Sequence, residues 1–331
     1  MKILVMRFSS LGDVVLISPL FQKIKERYPD SNITFLTSSE YVELFKNNPF
    51  IEEIIGYDPS SESLFSLLKF VKRIRKDSFD LILDCQINPR SLIFLLLGRG
   101  VTKKRIDKFS RKRREMVSTR KPEKIPHAVE RYLRMIDSNT IDRYRVLVYL
   151  EESEIKSVER SLRVKTNRKI VGFVPGASKR TKMWDVEKLK ELAHILIEKD
   201  QRFLIFFGTE EEGPLNSEIR EGIKDHCIDL SGKTSVRELA LYLKLCDVLL
   251  TTDSGPMHIA VAVGTPVVAL FGPTVPEFGF SPYDEKSVII SKVFSCRPCS
   301  LHGTDTCPLN HHHCMGSIEV EEVRKALNKR L

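Results

Sequence analysis

No stretch of this sequence is long and apolar enough to span a bilayer. The best candidate, Leu92–Leu97, runs straight into Gly98-Arg99-Gly100, far short of the roughly 18 apolar residues of a membrane helix. A secretory leader pattern is also lacking, because the apolar run Ile3–Met6 is cut by Arg7 and then Asp13 before reaching the about 7–15 residues of an h-region. Both gaps predict a soluble cytoplasmic protein. The glycine fingerprints of nucleotide folds are missing too. Ser9-Ser10-Leu11-Gly12-Asp13 follows the first apolar run, and it is neither G-x-G-x-x-G nor a P-loop, which argues against a nicotinamide oxidoreductase. There is no D-x-D pair to hold a catalytic divalent metal, so no metal cofactor is expected to be required. Aromatic residues are scarce where a nucleic acid would need them. Phe109 is the only one between Lys103 and Lys124, which gives single strands little to stack on. No nucleic-acid partner is expected, and strongly salt-sensitive DNA binding is the observation that would revive that reading.

What is present suits two domains. A chain of 331 residues exceeds one ordinary core and fits two of about 150 residues each. The formal charge of +9 is mostly local, with eleven cations against three acids from Lys103 to Lys124. Such a run reads as a surface for phosphate, carboxylate, anionic lipid or nucleic acid, or simply as a solvated loop. Of seven cysteines, Cys85, Cys227 and Cys246 lie in apolar stretches and read as buried thiols. Cys296, Cys299, Cys307 and Cys314 cluster with His311-His312-His313. Those ligand types suit a structural zinc, although only the first pair has the usual spacing, and unligated thiols are the competing reading.

The first half alternates strand and helix patterns. Ile3–Phe8, Asn32–Leu36, Ile51–Ile55 and Asp80–Leu83 read as strands; Val14–Tyr28 reads as a helix ended by Pro29, and Leu64, Leu67, Leu68, Val71 and Ile74 have helical spacing. After the basic run, His127–Ile136 reads as a helix, Arg145–Leu150 as extended chain, and Glu151–Lys169 as a highly charged interdomain connection with helix formers. The rhythm restarts with strands Ile170–Val174, Phe203–Phe207, Asp247–Thr251 and Val267–Phe271. Between them Asp185 is placed to cap a helix Val186–Lys199, with Trp184 and Leu189 as a hydrophobic staple. Further helices are expected over Ser235–Leu245, over Met257–Val263 closed by Gly264, and after a Ser317 cap. Two parallel sheets of this kind predict an α/β fold of two Rossmann-like, doubly wound domains facing a central cleft, where ligands of open sheets bind.

Three turns carry candidate chemistry. In Asp253-Ser254-Gly255-Pro256-Met257-His258 a strand enters and a helix leaves; Gly255 permits close backbone approach, and the free N–H groups of the first turn make an anion site. In Gly176-Ala177-Ser178-Lys179-Arg180-Thr181-Lys182 cations and hydroxyls come to the same sheet edge, where a lysine can neutralise a phosphate. In the loop after the first strand, Asp13 stands in a first helical turn, which favours its ionised form. A carboxylate there can accept a proton from a hydroxyl nucleophile. The competing readings are an ordinary capped turn for the first, solvated loop lysines for the second and a helix-start aspartate serving stability for the third.

Taken together, Arg7-Phe8-Ser9-Ser10-Leu11-Gly12-Asp13, Lys182-Met183-Trp184, Asp253-Ser254-Gly255-Pro256-Met257-His258 and Phe271-Gly272-Pro273-Thr274 resemble, in order and spacing, glycosyltransferase family 9, the ADP-heptose:lipopolysaccharide heptosyltransferases. The resemblance implies a GT-B fold and an inverting transfer of heptose from ADP-L-glycero-D-manno-heptose to a hydroxyl of the lipopolysaccharide inner core. It implies an N-terminal acceptor domain (1–150), a connection (151–168), a C-terminal nucleotide-sugar domain (169–316) and a last helix (317–331). It makes Asp13 the catalytic base. It puts Lys182, Asp253, Ser254, Gly255, His258 and Ser178 on the donor, with Glu210 or Glu211 on the ribose and Thr234 near the adenine. Ser10, Gly12, Arg105 and Arg120 are the expected acceptor contacts, and the acceptor is acidic. Peripheral contact with anionic lipid at the inner face of the inner membrane fits the basic run. A related transferase with another nucleotide sugar, or with another glycan or a protein as acceptor, is the alternative.

Overall fold

A computed structural model describes residues 1–58, 71–72, 78–97, 100–137, 144–163 and 166–331. The chain divides into two compact units: 1–108 with 126–149, and 109–125 with 150–331. The segment 109–125, read above with the first half, therefore groups with the second unit.

The first unit holds a sheet of β1 (Lys2–Met6), β2 (Asn32–Ser38), β3 (Glu53–Tyr57), β4 (Phe79–Asp84) and β5 (Gly100–Arg105) in the order β3-β2-β1-β4-β5. The second holds β6 (Ile170–Val174), β7 (Phe203–Phe206), β8 (Cys227–Asp229), β9 (Val248–Thr252), β10 (Val267–Phe271) and β11 (Val288–Ser291) in the order β11-β10-β9-β6-β7-β8. Every pairing is parallel. Numbered within its own unit, each sheet runs 3-2-1-4-5, and the second adds a sixth strand. Strand order thus reverses beside β1 and beside β6. That reversal opens a crevice at the carboxyl ends of those strands, the usual place for a ligand. The strands are buried on both faces, as parallel strands must be: Ile3, Val5 and Met6 are fully covered, as are Val171, Phe173, Leu204 and Phe206.

The structure corrects several expectations. The helix read over Val14–Tyr28 is two, Leu11–Leu16 and Ser18–Arg27, because Pro19 has no N–H for the preceding turn and starts a new helix. Strands β5, β8 and β11 were not read from the sequence. β5 is an edge strand whose Lys103, Lys104 and Arg105 look like loop cations, a common protection of open edges. The basic run continues as the helix Ser110–Thr119. Arg145–Leu150 joins neither sheet. Much of the charged connection is a helix, Glu152–Arg163, tied within the second unit by two hydrogen bonds from Arg237 to the Glu154 carboxylate at 2.8 and 2.6 Å. The last helix, Val320–Asn328, has Glu319 at its N-cap position, and the Ser317 hydroxyl instead donates back to His313 O at 2.7 Å. Of the spacing Leu64–Ile74, all but Val71 lies outside the described residues.

Other local readings hold. Asp185 accepts from Lys188 N at 3.1 Å as the cap of Val186–Glu198, and Trp184 and Leu189 are buried in one cluster. Ser235 and Glu238 form a reciprocal capping box on Val236–Leu245. Gly264 ends Gly255–Val263 at φ 88°, a left-handed conformation that costs a glycine little. Among the described residues no helix is long and apolar enough to cross a membrane.

Candidate functional site

Each reversal point carries an aspartate against a buried cation. In the first unit, β1 leads into a loop and then the helix Leu11–Leu16, with Asp13 in its first turn. Arg7, the one charge in the apolar run feeding that loop, is 4% exposed. Its Nη2 lies 2.5 Å from Asp13 Oδ2, and Nη1 donates to Cys85 O at 2.5 Å. Ser10 Oγ donates to the same Oδ2 at 3.2 Å, and the Tyr132 hydroxyl reaches Oδ1 at 3.4 Å. Burial pushes the Tyr132 phenol far up, so it stays a neutral donor. Burial also opposes the Arg7 charge, but the surrounding groups, with the hydrogen-bonded Asp13 carboxylate among them, outweigh that and raise its pKa. The Asp13 side chain keeps 21% of its surface open, so an incoming hydroxyl can reach it.

The neighbouring strand end fixes the loop. Gln86 Oε1 accepts from Phe8 N at 3.0 Å and Ser9 N at 3.2 Å, and Ser38 Oγ donates to Phe8 O at 2.7 Å. Asp84, fully buried, accepts from Gln86 N, Ile87 N and Arg105 Nε at 3.0, 2.9 and 3.1 Å. Every lone pair of a buried carboxylate left without such partners would cost stability.

In the second unit the turns after β6, β9 and β10 meet. Lys182, in the 3₁₀ turn Arg180–Lys182, places Nζ 2.9 Å from Asp253 Oδ2, with 11% and 18% of the two side chains exposed. Thr274 Oγ1 donates to the same oxygen at 2.7 Å. Ser254 Oγ pairs with Thr251 Oγ1 at 2.9 Å, leaving its helix start without a side-chain cap. Thr252 Oγ1 donates to Gly176 O at 3.3 Å, joining the ends of β9 and β6. The helix Gly255–Val263 begins at this point, with Pro256 in its first turn and His258 buried one turn in. A lysine ammonium, a threonine hydroxyl and a helix N-terminus converge here, which is an arrangement that stabilises a polyanion.

A family model described as "Glycosyltransferase family 9 (heptosyltransferase)" matches residues 67–310. The chain belongs to that family. It is a glycosyltransferase of the heptosyltransferase group. The transferase is 28% identical over 332 residues to lipooligosaccharide heptosyltransferase 2 of Campylobacter jejuni, covering 98% of this chain and 96% of that one. Among solved structures, it superposes on Escherichia coli ADP-heptose lps heptosyltransferase II with a TM-score of 0.80 at 22% identity, covering 100% of this chain and 98% of that one. The E. coli heptosyltransferase WaaC with ADP gives 0.74 at 17% identity, with 100% of each chain covered. Those likenesses make the fold GT-B-like.

The transferase brings Lys182, Asp253, Ser254 and Gly255 together at one mouth, as expected. Ser178 is exposed on the loop leading to Lys182. Glu210 and Glu211 are exposed in the turn after β7. Glu212 is the acid that turns inward: its carboxylate accepts from Thr209 N at 2.8 Å, and a Cβ added to Gly176 would fall 2.0 Å from it. Thr234 is half-buried just before the helix Val236–Leu245, in a loop joined to that of Glu210 by Gly232 N donating to Gly208 O at 3.0 Å. Ser10 and buried Gly12 flank Asp13. Arg105 lies in the first unit on Asp84, whereas Arg120 lies in the second and donates to Cys296 O at 2.7 Å. The four clustered cysteines are free thiols, and among the described residues no three His, Cys, Asp or Glu are placed to hold a metal ion.

Sequence reasoning assigned no role to Arg7, Tyr132, Gln86 or Thr274. A lone arginine in a buried strand implies a buried acid partner, so Arg7 was findable. Thr274 lies inside a quoted motif. Tyr132 and Gln86 are distant in sequence and gave no local sign.

Proposed function

We propose that this transferase moves heptose from ADP-L-glycero-D-manno-heptose to a hydroxyl of an acidic lipopolysaccharide inner-core acceptor, with inversion at the anomeric carbon. The observation that carries the donor half is the Lys182 ammonium resting on Asp253 beside the free N-terminus of Gly255–Val263. The solved E. coli relative with ADP supports a nucleoside diphosphate as ligand. Asp13 takes the proton of the acceptor hydroxyl, and that oxygen attacks the anomeric carbon. The bond from carbon to the diphosphate oxygen breaks, and ADP leaves. Charge growing on the diphosphate is met by Lys182 and the helix N–H groups, which are already in place and need no reorganisation. Ser178, Glu210 and Thr234 are the proposed contacts to the rest of the donor, and Arg105 and Arg120 to anionic groups of the acceptor. The exposed cations near Arg120 also suit an anionic lipid surface on the cytoplasmic side.

The test is a thermal-shift panel of ADP, ADP-heptose, UDP, GDP and NAD without added metal, followed by transfer assays with product anomers assigned by NMR. A ligand at about 100 times its Kd stabilises by about 2.7 kcal/mol, enough to read. Selective response to ADP and ADP-heptose supports the proposal. Preference for UDP or GDP moves the donor, and no response to any nucleotide in folded protein removes the donor site.

A further inference from the structure

The loop after β11 holds a buried arginine that no step above uses. Arg297 is 6% exposed. Its Nη2 donates to Phe271 O at 3.2 Å and to Thr274 O at 2.6 Å. Its Nη1 donates to Ser291 Oγ at 2.9 Å and to Lys292 O. Two terminal nitrogens thus satisfy four acceptors, two at the end of β10 and two at the end of β11. Only a planar fork can serve both sets at once; a lysine ammonium is a single point with three donors. Cys299 N adds a bond to Pro273 O at 3.2 Å, so the turn Gly272-Pro273-Thr274 is clasped from one side along its length.

That turn matters because of what its last residue does. The Thr274 hydroxyl donates to Asp253 Oδ2, the oxygen that also faces Lys182 Nζ. A backbone shift at Thr274 would move the hydroxyl, free the carboxylate to rotate, and let the ammonium leave its resting place. The same Cys/His-rich segment holds the lysine's own turn. Thr181 N and Oγ1 donate to Thr304 O at 3.1 and 2.7 Å, and His312 Nε2 donates to Thr181 O at 2.7 Å. The segment therefore grips both turns that flank the Lys182–Asp253 pair.

We propose that Arg297 is a positioning residue for the donor diphosphate: through the backbone of Thr274 it fixes the Thr274–Asp253–Lys182 relay in the geometry that receives the phosphates. This rests on the donor reading given above. Arg297 touches no substrate, and its effect is on donor binding rather than on the chemical step.

The experiment is isothermal titration of ADP with donor-dependent kinetics on Arg297→Lys, Thr274→Val and the double variant, at a temperature well below each Tm. Arg297→Lys should raise the ADP Kd and donor KM by roughly tenfold and leave kcat within about twofold. In the Thr274→Val background the same change should cost no further affinity, because neighbours acting in one relay are not additive. Should Arg297→Lys not fold, Ser291→Ala, which removes one of its acceptors, should still weaken ADP by about two- to threefold. Unchanged ADP affinity in a folded variant, whatever its Tm, overturns the proposal, as does an equal loss in both backgrounds. If the unaltered protein binds no ADP, the donor reading falls and this inference with it; if it binds ADP and the variants match it, only the inference falls.

Discussion

Asp13 and Asp253 both stand at the reversal point of their sheet, after the first strand of one unit and the fourth strand of the other, yet their cations differ in kind. Asp13 faces a guanidinium whose other terminal nitrogen is committed to Cys85 O. Asp253 faces an ammonium on a flexible stem, with Thr274 on the same oxygen. An arginine fork holds its partner in a fixed orientation, whereas a lysine is a point charge that can transfer between anions. The first arrangement keeps a carboxylate aimed. On the proposed donor reading, the second holds a positive charge beside the helix start that would receive the diphosphate.

The sharpest way to break this contrast is to remove each acid or cation in turn. Asp13→Ala should lower kcat by about 10²- to 10⁴-fold, the range of a lost general base, with the ADP Kd unchanged in calorimetry. Lys182→Ala should do the reverse at the binding step, raising the ADP Kd by about ten- to a hundredfold for a lost charged hydrogen bond. If Asp13→Ala loses ADP binding instead, the two roles are not separate. Stability should distinguish the cations as well. Arg7→Met leaves a carboxylate without its buried partner and should cost about 3 kcal/mol, read as a lowered denaturant midpoint. A loss no greater than that of an exposed arginine would mean the fork does not hold the loop.

Smaller effects separate what the sequence displays from what it hides. Asp185→Ala removes a cap legible in the sequence and should cost about 1 kcal/mol, or about 2–4 °C in Tm. Capping residues, glycine C-caps and apolar strands are local, so Asp185, Gly264 and β1 could be read directly, although the same signal misplaced a cap at Ser317 and left the Ser235 cap inside its helix. Asp253, Lys182 and Gly255 were also legible, because strand-to-helix turns carry their own chemistry. The partners that set their geometry were not. Thr274, Arg297 and Tyr132 act across 21 to 119 positions of chain, and no periodicity encodes that. β5 and β8 were missed for a related reason: an edge strand rich in lysine and a three-residue strand lack an alternating pattern long enough to count.

The weakest prediction concerns thiols. Burial opposes ionisation of Cys307, but the backbone N–H groups of His312, Leu309, His311 and Asn310 outweigh it and lower its pKa. Burial pushes Cys314 up to about 11. A lowered pKa means thiolate at lower pH, so mass spectrometry should show Cys307 alkylated first as pH rises through neutrality and Cys314 left intact. Metal analysis of untagged protein, run on the same sample, tests zinc at Cys296, Cys299, Cys307 and Cys314.

The chain passes between its two units three times, at 108–109, 125–126 and 149–150. Consequently no single cut yields two complete halves. A fragment beginning at residue 150 would lack Met116 and Ile125, which pack with Val275 and Phe278 just beyond the Thr274 turn. Anyone grafting the second unit of this protein onto a relative would have to carry 109–125 along as a separate insert, and a protease nick at 149–150 would release 150–331 while leaving 109–125 attached to the first unit.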